Sequence, residues 1–294
     1  MDCRSAARAA SPHCGVLPHV VLKRAPECAM DRQGKLLAKE GEPMPESQQG
    51  DRASDDRGFV LLHGAMLGHW IWDLVKPLLA GPALAVDLPG RGTKPADVTE
   101  VRLGDAIDSV VADVEAWPIE QVVLVAHSLS GILVPAVATR LGERVSHAVF
   151  VNAAVPRPGN SYLDVLPVSQ RLFLRLVLAI QKKGPRTPAS ATRRALCNDL
   201  DEPTTQLVLG RLTREAPRFY QEPVPGRIPG RTPMLYVKLT RDRALSPALQ
   251  DKMITRLPGT RVEAIEAGHL PMLGQPNRLA TILNSLPKDT RTAE

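Results

Sequence analysis

Six short runs, apolar or nearly so and each bounded by turn residues, limit what this chain can fold into more than any other feature. Phe59-Val60-Leu61-Leu62 is the first. Ala83 to Val86, Gln121 to Val125, Ala148 to Val151, Met234 to Val237 and Val262 to Ile265 follow it. A run that is apolar at successive positions, rather than at every second one, needs cover on both faces, as strands of a parallel sheet do. Between the runs lie amphipathic stretches of helical length, such as Trp70 to Leu79, Leu103 to Trp117 and Ile132 to Leu141. Strands alternating with helices predict an α/β class, with a doubly wound, mostly parallel sheet.

The alternation breaks once. From about Pro156 to Arg231 the chain is rich in Pro, Arg and Leu, with helical patches at Ser169 to Gln181 and Glu202 to Arg214 and no clear strand. An insertion of that size before the last two strands predicts a helical cap over 156–231, seated on the carboxyl edge of the sheet where open α/β sheets bind ligands. The core is then expected over 58–155 and 232–294. Residues 1–57 mix Pro, Gly, Gln, Ser and charge without any sustained period, and a disordered extension is expected there.

With 44% hydrophobic and 23% charged residues, most of the chain reads as globular rather than disordered or fibrous. No apolar run approaches the roughly 20 residues of a membrane-spanning helix, so no membrane partner is expected. The early segment Gly15 to Leu22 is short and interrupted by Pro18 and His19, unlike a secretory core, and a cytoplasmic location is the expectation. An acid-poor start with Arg and Ser also resembles an organelle transit peptide, and Met30 or Met44 are alternative starts. Cys3, Cys14, Cys28 and Cys197 have no CxxC spacing, so neither a disulfide framework nor a metal site is expected. The net charge of +6 is densest around Lys182, Lys183, Arg186, Arg193 and Arg194. Without a binding motif beside it, that group reads as a solvated basic face and not as a nucleic-acid site. Oligomeric state is left open by the sequence.

The run Val123-Leu124-Val125-Ala126-His127-Ser128-Leu129-Ser130-Gly131 delivers a serine from a strand straight into a helix. A nucleophile in such an elbow sits on a strained backbone that leaves room only for small residues two places to either side, hence the usual G-x-S-x-G. The flanks of Ser128 are Ala126 and Ser130, so the literal motif fails while the steric requirement is met. Gly131 allows the following helix to pack closely. A serine that merely caps a helix would read similarly. Ser130 is the rival nucleophile, but Ile132 is too large for its flank.

A serine hydroxyl becomes a competent nucleophile when a histidine takes its proton, and an acid must orient that histidine. In this topology the acid precedes the histidine in the chain. Asp242 follows the strand beginning at Met234, and His269 follows the strand Val262 to Ile265. A loop aspartate paired with Arg241 or Arg243 and a surface histidine are the plain alternatives. Three placements at strand ends in the required order favour a Ser128, His269, Asp242 triad. An oxyanion hole is expected from the Ala65 N–H, in His63-Gly64-Ala65-Met66, and from the Leu129 N–H. His63 and His127 are expected to brace their loops rather than act as bases. No cofactor is implied.

From about Phe59 to Leu286 the chain resembles the α/β-hydrolase superfamily, and within it the salicylate-binding and polyneuridine-aldehyde-type methylesterases and the related hydroxynitrile lyases. The carriers are Phe59-Val60-Leu61-Leu62-His63-Gly64-Ala65, Trp70 and Trp72, Lys76-Pro77-Leu78-Leu79, Val86-Asp87-Leu88-Pro89-Gly90 and His269-Leu270-Pro271-Met272-Leu273. The triad and the resemblance together favour hydrolysis of a small to medium carboxylic ester through an acyl-enzyme, in a pocket beneath the cap expected to be lined by Met66, Leu67, Leu129, Leu270 and several cap leucines. The lyases of this group carry a threonine after the first-strand histidine and a lysine after the catalytic one. Gly64 and Leu270 stand there in this chain and favour the esterase. A slow or silent ligand receptor on the same fold, and a lyase, are the alternatives.

Overall fold

All six apolar runs become strands of one sheet. The computed structural model describes residues 57–287, together with the segments Ala29–Met30 and Leu36–Leu37, which pair antiparallel. The extension expected over 1–57 otherwise lies outside the described residues. The strands are β1 (Gly58–Leu62), β2 (Ala83–Val86), β3 (Val122–His127), β4 (Val145–Val151), β5 (Met234–Leu239) and β6 (Arg261–Ile265). They lie in the order β2-β1-β3-β4-β5-β6, and every neighbouring pair is parallel. The chain steps outward from β1 to β2 and then returns to the other side of β1, so the switch point falls between β1 and β3. A doubly wound sheet opens a crevice at that point.

Continuous apolar text in the central strands matches two buried faces. Val60 and Leu62 of β1 and Leu124 and Ala126 of β3 enter one core, with α1 (Leu103–Glu115) and α2 (Val134–Leu141) above them. Phe59, Leu61, Val123 and Val125 point the other way, into a core that the carboxyl-terminal helix Pro276–Asn284 closes through Leu279, Ile282 and Leu283.

Two helical expectations are corrected. Trp70 to Leu79 forms two 3-10 turns, His69–Trp72 and Lys76–Leu78, rather than one α-helix. Pro77 is the reason: it lacks an N–H, and its ring would meet the carbonyl four residues back in a continuous helix. Ile132 to Leu141 likewise divides into a 3-10 turn at Ser128–Ile132 and α2, which has Pro135 in its first turn.

Between β4 and β5 the structure contains no described strand. It contains α3 (Val168–Ile180), α4 (Ala189–Ala195), α5 (Glu202–Arg211) and α6 (Arg218–Gln221). This helical segment, where the cap is expected, connects the carboxyl end of β4 to the start of β5. No helix among the described residues is long and apolar enough to cross a membrane.

Candidate active site

Ser128 follows the last residue of β3 with φ +54°, in the left-handed region that residues bearing a Cβ rarely adopt. The turn is held from several sides. Ser130, two residues on, accepts from the His127 N–H at 3.0 Å, and its hydroxyl lies 2.9 Å from the His127 carbonyl and 3.2 Å from the Leu62 carbonyl of β1. The Ala154 N–H donates to the Ser128 carbonyl at 2.8 Å. Gly131 lets this turn approach the chain after β4, because a Cβ there would lie 2.3 Å from the Ala154 carbonyl oxygen.

The fold brings the three sequence-predicted side chains together. Ser128 Oγ lies 2.9 Å from His269 Nε2, and His269 Nδ1 lies 2.7 Å from Asp242 Oδ2. All three are buried. The other oxygen of Asp242 accepts the Ala244 and Leu245 N–H groups at 2.6 and 2.9 Å. A carboxyl group whose oxygen accepts two backbone N–H groups is fixed in position.

Asn152 was not read from the sequence. It follows β4 with φ +43°, is fully buried, and donates its side-chain amide to Asp242 Oδ2, with the same nitrogen 3.1 Å from His269 Nδ1. The one available signal is an asparagine directly after an apolar run, a residue type tolerant of left-handed backbone.

On the β1 side, Gly64 packs against the Ser128 turn: a Cβ there would lie 2.8 Å from both Ser128 Cβ and His127 Nδ1. Ala65 comes next. Leu129 is the second residue of the 3-10 turn, so its N–H is among the first-turn donors that a helix leaves without an internal acceptor. Met66 has φ +61°. Its N–H donates to Glu215 Oε2 at 2.7 Å, and its carbonyl accepts the Thr213 N–H at 3.0 Å. The loop expected to supply an oxyanion donor is therefore tied to the cap. Glu215 in turn pairs with Arg91 and accepts the Ala216 N–H at 2.8 Å, and both charged side chains are about 1% exposed. Neither Arg91 nor Glu215 was identified from sequence, since nothing in the spacing of the two residues links them.

His63 and His127 take bracing positions. His63 Nδ1 donates to the Gly64 carbonyl at 2.8 Å, and its Nε2 accepts the Leu88 N–H at 3.2 Å. Burial, reinforced by the positive charge of Arg91, pushes the His63 imidazole down to about 4. His127 Nε2 donates to the His269 carbonyl at 2.9 Å, and burial holds this imidazole well below its ordinary range. Both rings are neutral near pH 7.

Met66, Leu67 and Leu270, expected to line the substrate pocket, are all buried in the core that holds Phe59, Leu61, Val123 and Val125. Leu129 belongs to the opposite core and borders a narrow cavity with His63, Gly64, Leu88, Glu215 and Phe219. Among the described residues no group of three or more His, Cys, Asp or Glu side chains is arranged to hold a metal ion.

Known proteins with similar sequences follow the same architecture. The model of the Alpha/beta hydrolase family matches residues 59–282. Methylesterase 17 of Arabidopsis thaliana is 27% identical over 239 residues, which cover 74% of this chain and 87% of that protein. Polyneuridine aldehyde esterase of Rauvolfia serpentina is 26% identical over 268 residues, covering 79% of this chain and 96% of that one. Among solved structures, an extracellular alpha/beta-hydrolase from a Paenibacillus species matches with a TM-score of 0.70 at 20% identity, over 77% of this chain and 97% of its own. The family match spans the sheet, the cap and the strand-end residues Ser128, Asp242 and His269, and this chain belongs to the alpha/beta hydrolase family.

Proposed function

We propose that the protein is a serine esterase that cleaves a small or medium carboxylic ester through an acyl-enzyme at Ser128. The observation that carries this reading is the unbroken hydrogen-bonded chain from Ser128 Oγ through His269 to Asp242, at 2.9 and 2.7 Å. His269 Nε2 takes the hydroxyl proton as Oγ attacks the ester carbonyl, then returns it to the departing alkoxide. A water molecule deprotonated by the same nitrogen attacks the acyl-enzyme and restores Ser128. Asp242 holds the imidazole with Nδ1 protonated throughout, and Asn152 holds Asp242. The Ala65 and Leu129 N–H groups receive the negative charge that develops on the carbonyl oxygen.

Methylesterases and an esterase among the relatives support the ester as substrate class. The apolar side chains of Leu88, Leu129, Ile132 and Phe219, around the narrow cavity beside Gly64, support an apolar acid part. A lyase of the related group would carry threonine at position 64, where even a bare Cβ lies 2.8 Å from Ser128 Cβ. Hydrolysis of short p-nitrophenyl esters, with covalent labelling by a fluorophosphonate, tests the reading. Ser128→Ala is expected to abolish labelling and to lower kcat by about 10⁴-fold or more. Labelling of the variant at the wild-type level removes Ser128 from the reaction.

A further inference from the structure

Six large apolar side chains are exposed among the described residues, and five of them lie on α3: Val168 (69%), Leu172 (59%), Phe173 (68%), Leu176 (58%) and Ile180 (72%). Val168, Leu172, Leu176 and Ile180 recur every four residues, so they form one stripe along the helix, with Phe173 beside it. The opposite side of α3 seats the helix on the protein, through buried Leu178 and half-buried Leu174 in the same core as the sheet. The stripe is therefore an outward face, and an apolar patch of this kind marks an interaction surface.

Its charge surroundings are one-sided. Residues 165–198 contain Arg171, Arg175, Lys182, Lys183, Arg186, Arg193 and Arg194 and no acidic residue. Arg171 pairs with Asp164 at 3.3 Å and Arg193 with Glu202 at 2.7 Å. Arg175 on α3, and Lys182, Lys183 and Arg186 just beyond its carboxyl end, are exposed. Read from sequence, the basic cluster is a solvated face. In the structure it flanks leucines and a phenylalanine that face the same solvent.

We propose that α3 and the basic loop behind it dock on an anionic phospholipid bilayer. The helix would lie in the plane of the interface, with Leu172, Phe173 and Leu176 among the acyl chains and Lys182 and Lys183 against the headgroups. An apolar face bearing Leu and Phe with Lys and Arg at its border is the composition of an interfacial helix. At 13 residues α3 is about 20 Å long, too short to span a bilayer but suited to lying in one leaflet. Self-association through this face would bring two copies of the same acid-free basic segment to one interface and supply no acidic residue from within it. An anionic surface supplies the missing countercharge.

Flotation of the full chain with vesicles tests the proposal without reference to catalysis. Binding is expected to phosphatidylcholine vesicles containing about a third phosphatidylglycerol, to weaken with added salt, and to be absent with phosphatidylcholine alone. Leu172→Glu with Phe173→Glu, and separately Lys182→Glu with Lys183→Glu, should each lower partitioning about tenfold or more. Both variants should keep the wild-type circular dichroism and the rate on a short water-soluble ester. The proposal is overturned by no flotation with either composition, as a protein partner for this face would give, or by equal flotation with both. Flotation that the variants leave unchanged overturns it too. So does a wild-type dimer in light scattering that Phe173→Glu dissociates, which assigns the face to a second copy.

Discussion

Three residues bearing side chains hold left-handed backbone among the described residues, and all three follow strands at the carboxyl edge of the sheet. Met66, Ser128 and Asn152, at φ +61°, +54° and +43°, follow the carboxyl ends of the adjacent strands β1, β3 and β4. Such conformations cost on the order of 1–3 kcal/mol each and persist where surrounding contacts fix them. At Ser128 the sequence shows the strain indirectly, through the small flanks Ala126 and Ser130. At Met66 it shows nothing, because methionine is not a residue type that advertises left-handed backbone and its holder, Glu215, lies in the cap. Gly64 is legible only in part. Its identity separates esterase from lyase by resemblance, whereas the physical reason is its contact with Ser128. Gly64→Ala is expected to keep the fold while displacing the Ala65 N–H, since neither Ser128 nor His127 can retreat from a Cβ at 2.8 Å. Loss of one oxyanion donor lowers kcat by roughly 10²- to 10³-fold. Steady-state kinetics with a p-nitrophenyl ester decide the matter, and an unchanged kcat would mean that the Gly64 approach is not needed.

At the scale of elements, the strand positions, the parallel sheet and the buried core could be anticipated, because parallel strands covered on both faces leave uninterrupted apolar text; the strand order could not. Helix boundaries near Pro77 and Pro135 could not, since periodicity continues through a proline that the backbone must accommodate by turning. The link between cap and core was also invisible. Glu215, between α5 and α6, joins Met66 after β1 to Arg91 after β2, across 149 and 124 residues of sequence. Glu215→Ala would leave Arg91 buried without a counter-ion, a loss of about 3–5 kcal/mol. It would also remove the acceptor of the Met66 N–H. Glu215→Gln keeps an acceptor for that N–H at the expense of the charge. The alanine variant should therefore unfold at markedly lower urea concentration and lose kcat. The glutamine variant should lose stability while retaining more of the rate. Equal kcat values for the two would show that the tether to Met66 does not position the loop.

For the molecule as a whole, two fully buried imidazoles set how stability varies with pH. His63 is held down to about 4 and His127 well below its ordinary range, in both cases chiefly by burial. In the unfolded chain each would titrate near 6.5. Between those limits the unfolded state binds the proton and the folded state does not, so acid favours unfolding. Their contribution is fully present above about pH 6.5 and is lost as pH falls toward the folded values. At about 1.4 kcal/mol per pH unit, the depression of His63 to about 4 corresponds to some 3 kcal/mol, a large part of the 5–15 kcal/mol typical of a folded domain. His127 acts in the same direction. Urea midpoints should therefore stay nearly level from about pH 7.5 to about pH 6.5 and fall steadily from there to about pH 5. His63→Gln, which carries no titrating group, should start from a lower midpoint at neutral pH and decline with a shallower slope. A wild-type midpoint that stays level over this range would show that His63 and His127 accept protons without cost to the fold.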